Sequence, residues 1–417
     1  MTPSFSLFKR ISTYALISIA TSSISFFFLP LVTKYLSAED YGTLSVFNAI
    51  VRLFAAVIPL GMGHLLMVYI FQKKEAFPKY FSSYLKASFL FSVILSIVLV
   101  AVVCFKNNLW GLSTPVIISL PFIAFILLYY ELMGSYFIYT KQLKWFAFNS
   151  LFYFFLELIL IVLLVVIFQF NWEGRVAALV ISLFVLFLIN MWYCIDNKLF
   201  VAKVNVSYAK ELLLKGFPLL FMSLSIMIMN LSDRFFIEYF WGLDETGYYG
   251  IASTVSGILL VAIGALINAI RPQLFDVLAA DKLPRQINKL TILYFAGLTA
   301  VTIGLYFFTP LIFSIMINEK FLRAQYMVSP LVAGLFFWGV YNYFLSFLMY
   351  KKRNKLIGFI SLFGIIINIL LNYFLIKQYH AMGAAYATLF TYICMAMLVF
   401  LLHMNNLKKV KNVAQVV

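Results

Sequence analysis

The sequence predicts an all-α polytopic membrane protein, with twelve transmembrane helices in two pseudo-symmetric six-helix lobes around a central cavity. Three observations predict it. Hydrophobic residues make up 64% of the chain and Asp, Glu, Lys and Arg only 11%, whereas a soluble chain is about half apolar and about a quarter charged. The apolar stretches are continuous and about 20 residues or longer, which is the length of a spanning helix; a barrel would show short alternating segments. Short motifs recur in the same order at offsets of 207 to 211 residues, which reads as a duplication.

The first span, 12–34, follows Lys9 and Arg10. Ser18-Ile19-Ala20 mimics a signal-peptidase site, but the apolar run continues to Val32, so an uncleaved span is expected. Ser18, Ser22 and Ser25 share one helical stripe, with Thr21 alongside. Ser22 is a candidate cleft-lining residue; close helix packing or bonding to the backbone is the alternative. Span two, 43–69, carries Arg52 about ten residues in, with no acid three or four positions away. Pro30 in span one, and Pro59, Gly61 and Gly63 in span two, mark kinks that membranes tolerate. Span three, 80–105, holds Lys86 near enough to its end to snorkel. Spans four and five, 115–139 and 145–168, hold Glu131 and Glu157, and span six is 176–195.

Span seven, 217–239, carries Asp233, Arg234 and Glu238 where hydrocarbon is expected. Spans eight to twelve are 247–270, 290–317, 326–350, 356–376 and 383–403. No outward connection is long. The longest cytoplasmic ones, about 196–216 and 271–289, have room only for short amphipathic helices on the membrane surface.

Charge orients the spans. Of 31 Lys and Arg residues, 22 fall at one set of span ends and 6 at the other, which places both termini and the Lys351–Lys355 connection in the cytoplasm. The net charge of +16 is therefore a topology signal with secondary attraction to anionic lipid headgroups, and no nucleic-acid partner is expected. Trp110, Trp145, Trp172, Trp192 and Trp241 lie at span ends, as interface anchors do, and only Trp338 is mid-span. Cys104, Cys194 and Cys394 lie inside apolar runs, and His64, His380 and His403 are scattered. Neither a disulfide framework, a metal site nor a cofactor is expected.

The duplication rests on three matches. Leu36-Ser-Ala-Glu-Asp-Tyr41-Gly42 matches Leu243-Asp-Glu-Thr-Gly-Tyr-Tyr249-Gly250; Tyr139–Lys144 matches Tyr350–Lys355; Gly174–Ala178 matches Gly383–Ala387. The halves are taken as 1–205 and 206–417. Six spans in each make a parallel repeat about the membrane normal, an architecture common among alternating-access transporters.

A charge at mid-bilayer costs roughly 2.5–3.5 kcal/mol on insertion scales, so each intramembrane charge faces protein or water. Asp233 and Arg234 are about 100° apart on a helix and are not expected to face each other; Arg234 and Glu238, four apart, are. Arg234 either staples Glu238 or faces a hydrated cleft. Arg52 either pairs with Glu131 or Glu157, or is a cavity cation. Glu131, Glu157 and Asp233 are candidates for ion coupling or for charge balance.

Leu29-Pro30-Leu31 through Leu36–Gly42, then Leu213-Leu-Lys-Gly-Phe-Pro-Leu-Leu220, then Asp233-Arg-Phe-Phe-Ile237 with Gly242-Leu243 and Gly247-Tyr-Tyr249, closely resemble the polysaccharide (O-antigen type) flippases of the multidrug/oligosaccharidyl-lipid/polysaccharide exporter superfamily. The resemblance covers essentially the whole chain, and the Asp-Arg-Phe-Phe-Ile run is its most specific part. It implies a cell inner (plasma) membrane protein that moves an undecaprenyl-diphosphate-linked oligosaccharide from the cytoplasmic to the periplasmic leaflet. Membrane lipids and polysaccharide polymerase machinery are the implied partners. It also implies a cationic cavity, for which Arg52 and Arg234 are the positions that fit. The intramembrane charge here is mixed, four acids to two arginines, so some acids couple ions or neutralise the arginines. A cation-coupled multidrug exporter, whose cleft should favour carboxylates, is the rival within transport. A polymerase or glycosyltransferase needs catalytic groups on a sizeable outward loop, and Glu39-Asp40, the outward acidic pair in the connection after span one, sits inside a turn-like connection that recurs in the second half. No catalytic residue is assigned.

Overall fold

The computed structural model describes residues 26, 28–105, 111–202, 206–279, 284–351 and 353–414, almost all of them helical. Among these residues eight helices are long and apolar enough to cross a membrane, or nine if the bent pair Ala38–Val57 and Met62–Gln72 is one span. Two of the eight, Met227–Leu278 and Lys355–Met404, run to 52 and 50 residues, twice what one crossing takes. Each is broken where a connection was expected. Gly242 interrupts the first with φ 84° and ψ −176°, a conformation reserved for glycine. Tyr379 and His380 interrupt the second. Spans two to twelve are thereby all present. Most of span one, including Ser18, Ser22 and Ser25, lies outside the described residues.

By packing, the described chain forms two compact units, Tyr35–Leu231 in one, and the short segment up to Lys34 with Ser232 onward in the other. This division falls inside the seventh span, whereas the 205/206 boundary follows the repeat.

In the first unit, Ser37 starts the Ala38–Val57 helix with a capping box: its hydroxyl accepts from the Asp40 amide at 3.0 Å, and the Asp40 carboxylate accepts from the Ser37 amide at 3.0 Å. Two otherwise orphaned donors are thus satisfied. The expected kink in span two is a 50° bend before Met62. Gly61 makes it, with φ 78°, and its backbone lies directly against that of Gly216, leaving no room for a Cβ on either.

The Phe77–Phe105 helix shows how burial works in this protein. Its packed face carries Ser82, Ser88, Ser92 and Ser96, while Phe89, Leu90, Ile94 and Ile97 point outward. Ser96 donates to the Ile118 carbonyl at 3.0 Å. Small hydroxyl residues let helices approach and bond, and large apolar ones meet lipid.

Residues 206–216, in a connection with room only for short amphipathic helices, are helical and continue without a break into the seventh span. No residue before Gly242 leaves helical geometry, and the segment is fastened to the first unit. One Glu211 oxygen accepts from Tyr69 at 2.9 Å, Lys73 at 2.8 Å and Lys215 at 2.8 Å, and the other accepts from Tyr80. These donors hold the Glu211 carboxyl well below its usual range, Lys215 first and then Lys73 and Tyr80.

The halves end their fifth and eleventh helices alike. A π-helical turn covers Val162–Ile167 in one and Asn372–Ile376 in the other. In each, the glycine that opens the next span, Gly174 or Gly383, presses onto a carbonyl of that turn, of Leu164 or Leu375. These features recur at the offsets of the sequence matches and support the duplication.

Candidate functional site

Arg52, on the Ala38–Val57 helix, and Glu131, on the Thr114–Tyr139 helix, open onto one cavity of about 400 Å³ within the first unit. Pro59, Gly61 and Gly63 form part of its wall, so the bend in span two shapes it. His64, Tyr84 and Ser135 add polar groups, and the Tyr84 hydroxyl is buried with no hydrogen-bond partner among the described residues. Arg52 and Glu131 are both exposed. Among the described residues neither forms an ion pair. An arginine at this depth is tolerated when its head reaches a polar space large enough for water or a ligand.

Glu157 is differently placed. It is 1% exposed and meets Arg175 at 2.7 Å across the helix pair joined at 168–170. Arg175 reads in the sequence as an outward-end charge. A tight connection between two helices brings residues on either side of it together, and that spacing is the signal that identifies the pair.

The second unit holds Asp233 and Arg234. They do face each other, contrary to the helical-wheel expectation: the guanidinium meets the carboxylate at 3.1 Å. Arginine is long enough to fold back over the 100° between neighbours. The same carboxylate accepts from the Arg234 amide at 2.9 Å and, on its other oxygen, from the Tyr249 hydroxyl. Arg234 also lies over the Tyr249 ring at 5.7 Å. Tyr249 belongs to the recurring Tyr-Gly motif, and its part in holding Asp233 was not legible from that motif. Ser232, on the same helix as Asp233, forms a neutral cluster with Asn368 and Asn372 of the Asn354–Leu371 helix and the π-helical turn that follows it, with bonds of 3.1 to 3.3 Å.

The structure therefore brings Arg52 together with Glu131 in one cavity and pairs Arg234 with Asp233. It joins Glu157 to Arg175. Ser22 falls outside the described residues.

Comparison with known proteins fits this picture. The fold resembles that of an inward-facing multidrug resistance MATE family transporter of the MOP superfamily, with a TM-score of 0.71, 14% identity and 96% of each chain covered. It also resembles the lipid II flippase MurJ in an inward closed conformation, with a TM-score of 0.72, 15% identity, and 93% of this chain and 86% of that one covered. At these identities the likeness concerns the fold. In sequence, a protein of Shigella flexneri named "Putative O-antigen transporter" is 24% identical over 220 residues. The match spans 51% of this chain and about half the length of that relative. Residues 7–278 match the family described as polysaccharide biosynthesis protein, and the chain belongs to that family.

Proposed function

We propose that the protein is a flippase that carries an undecaprenyl-diphosphate-linked oligosaccharide from the cytoplasmic to the outer leaflet of the cell membrane by alternating access. The repeat halves 1–205 and 206–417 are its moving lobes, and both termini are cytoplasmic. The observation that carries this reading is Arg52, an intramembrane cation without an ion pair among the described residues, open to a 400 Å³ cavity. A diphosphate must lose water to cross the bilayer, and bare anions are costly there. Arginine replaces that water with a planar fork of donors matched to phosphate oxygens, and it stays charged when partly buried.

Arg52 is the substrate contact in the first unit and Arg234 in the second. Glu131 balances Arg52 or carries an ion, and Asp233 does the same for Arg234. Glu157 balances Arg175. The family match and the names of its relatives support a transporter over an enzyme.

The test is surface polysaccharide in cells carrying single and double variants at matched protein levels. Arg52→Ala is expected to lower it about tenfold or more, from the loss of a charge-assisted bond. Arg52→Lys is expected to recover part of it, and Arg52→Ala with Glu131→Gln none. Restoration by the double variant would refute the reading, because Arg52 would then serve only to neutralise Glu131.

A further inference from the structure

The first unit has a second cavity that shares no residue with the first. It is an open groove of about 700 Å³, lined by Trp145, Phe148, Leu188, Ile189 and Trp192, with Lys144 its one charged member. The volume lies in the range of pockets that bind small ligands, about 300–1,000 Å³.

The groove is held rigidly on one side. The Trp145 ring meets Tyr193 edge-on at 4.8 Å and stacks on Phe137 at 6.1 Å. The Tyr193 hydroxyl donates to Gln142 at 2.6 Å, which ties the start of the Leu143–Ile161 helix to the end of the Asn171–Asp196 helix. Trp192, one residue from buried Tyr193, is 61% exposed.

Charge gathers at the same helix ends. Lys141, Lys144 and Lys198 are all exposed. Asp196 is the acid at this end, and among the described residues it pairs with none of them. An apolar slot between two tryptophans, opening beside a lysine, matches a lipid with one chain in the slot and an anionic phosphate at the rim. Tryptophan favours the headgroup level for the same reason, having an apolar body and a polar edge.

The repeat supplies a contrast. Lys355 stands where Lys144 does in the first half, but Leu356 and Leu401 replace Trp145 and Trp192. The charge is common to both halves, and the aromatic walls belong to the first.

We infer that this groove binds an anionic phospholipid, with an acyl chain between Trp145 and Trp192 and the phosphate on Lys144. The site is separate from the transport cavity, and the inference does not rest on the proposed function.

The experiment counts lipids retained by the purified full-length protein in detergent, by native mass spectrometry, after equal additions of phosphatidylglycerol and phosphatidylcholine. The wild type should retain phosphatidylglycerol preferentially. Lys144→Gln should lower that retention about fivefold, the share of one lysine at an anionic headgroup. Trp192→Leu, which copies the second half, should lower it as well, and Lys355→Gln should leave it unchanged. Unchanged elution and melting of each variant excludes misfolding. The inference fails if the two lipids are retained equally, if Lys144→Gln and Trp192→Leu behave as wild type, or if Lys355→Gln matches Lys144→Gln.

Discussion

Glu157 and Asn368 stand at corresponding places in the two halves, each just before a π-helical turn and each buried, yet they are secured by different chemistry. In the first half Glu157 is ionic and meets Arg175 at 2.7 Å. In the second, Ala384 takes the place of Arg175, and Asn368 bonds to Ser232 and Asn372. The other charges differ in a related way. Asp233 is paired with Arg234 and bonded by Tyr249, whereas Arg52 is exposed in a cavity with no ion pair among the described residues. A duplicated backbone thus keeps its turns and helix ends while its buried polar groups diverge. Helix geometry is reused because it depends on the main chain. Polar groups can be held by an ion pair or by amide bonds, and each set here leaves one buried oxygen, Glu157 Oε2 or Asn372 Oδ1, without a hydrogen-bond partner among the described residues.

The sharpest way to break this comparison is to remove one member of each buried set. Glu157→Leu removes the carboxylate that meets Arg175 and is expected to cost about 3–5 kcal/mol, while Glu157→Leu with Arg175→Met should cost far less. Asn368→Leu, its counterpart, strands only neutral groups and should cost about 1–3 kcal/mol. Denaturant titration in mixed micelles measures all three. Equal costs for Glu157→Leu and Asn368→Leu would mean that the ion pair contributes nothing an amide does not.

A second contrast separates a charge held in an ion pair from one exposed in a cavity. Tyr249→Phe removes a donor from the Asp233 carboxylate and is expected to cost about 1.5–3 kcal/mol. Arg52→Met removes a side chain with no ion pair to lose and should change stability by no more than about 0.5 kcal/mol, even as transport falls. A large stability loss at Arg52 would show that its role is structural.

The paired glycines test how closely the repeat is kept. A Cβ on Gly383 would overlap the Leu375 carbonyl, whereas on Gly174 it would stand 3.1 Å from the Leu164 oxygen. Gly383→Ala is therefore expected to cost about 1–3 kcal/mol by overpacking, and Gly174→Ala less. Comparison of melting temperatures in one detergent decides it; the reverse order would contradict the closer approach at Gly383.

The smallest effect is at Glu211, which has no counterpart of this kind among the described residues of the second unit. Its carboxyl is held low by Lys215, Lys73 and Tyr80. A depressed folded-state value gives stability that is present in full above the unfolded value, near 4.3, and is lost as pH falls toward the folded one. Glu211 is partly exposed, so its share is discounted to about 1 kcal/mol or less. The melting-temperature gap between wild type and Glu211→Gln should stay constant from pH 7 to pH 5 and narrow below about pH 4. A gap that widened with acid would contradict the sign.

The sequence by itself determined the approximate limits of spans two to twelve, including the connections in which Gly242 and His380 fall. It also located the kink at Pro59–Gly61 and singled out Arg52 as a cation without a local partner. These are properties of short stretches: an apolar run of about 20 residues must be a helix in lipid, and a glycine or proline acts on its own backbone. Only the tertiary structure decided that Glu157 meets Arg175, that Tyr249 and Arg234 hold Asp233, that Glu131 shares the Arg52 cavity, and that 206–216 belongs with the first unit. Each of these depends on how a helix is rotated about its axis. In a soluble protein the apolar face reveals that rotation. Here the outward face is as apolar as the core, or more so, as Phe89, Ile94 and Ile97 opposite Ser88, Ser92 and Ser96 illustrate. Hydropathy therefore marks where a helix lies and leaves its facing to be settled by packing.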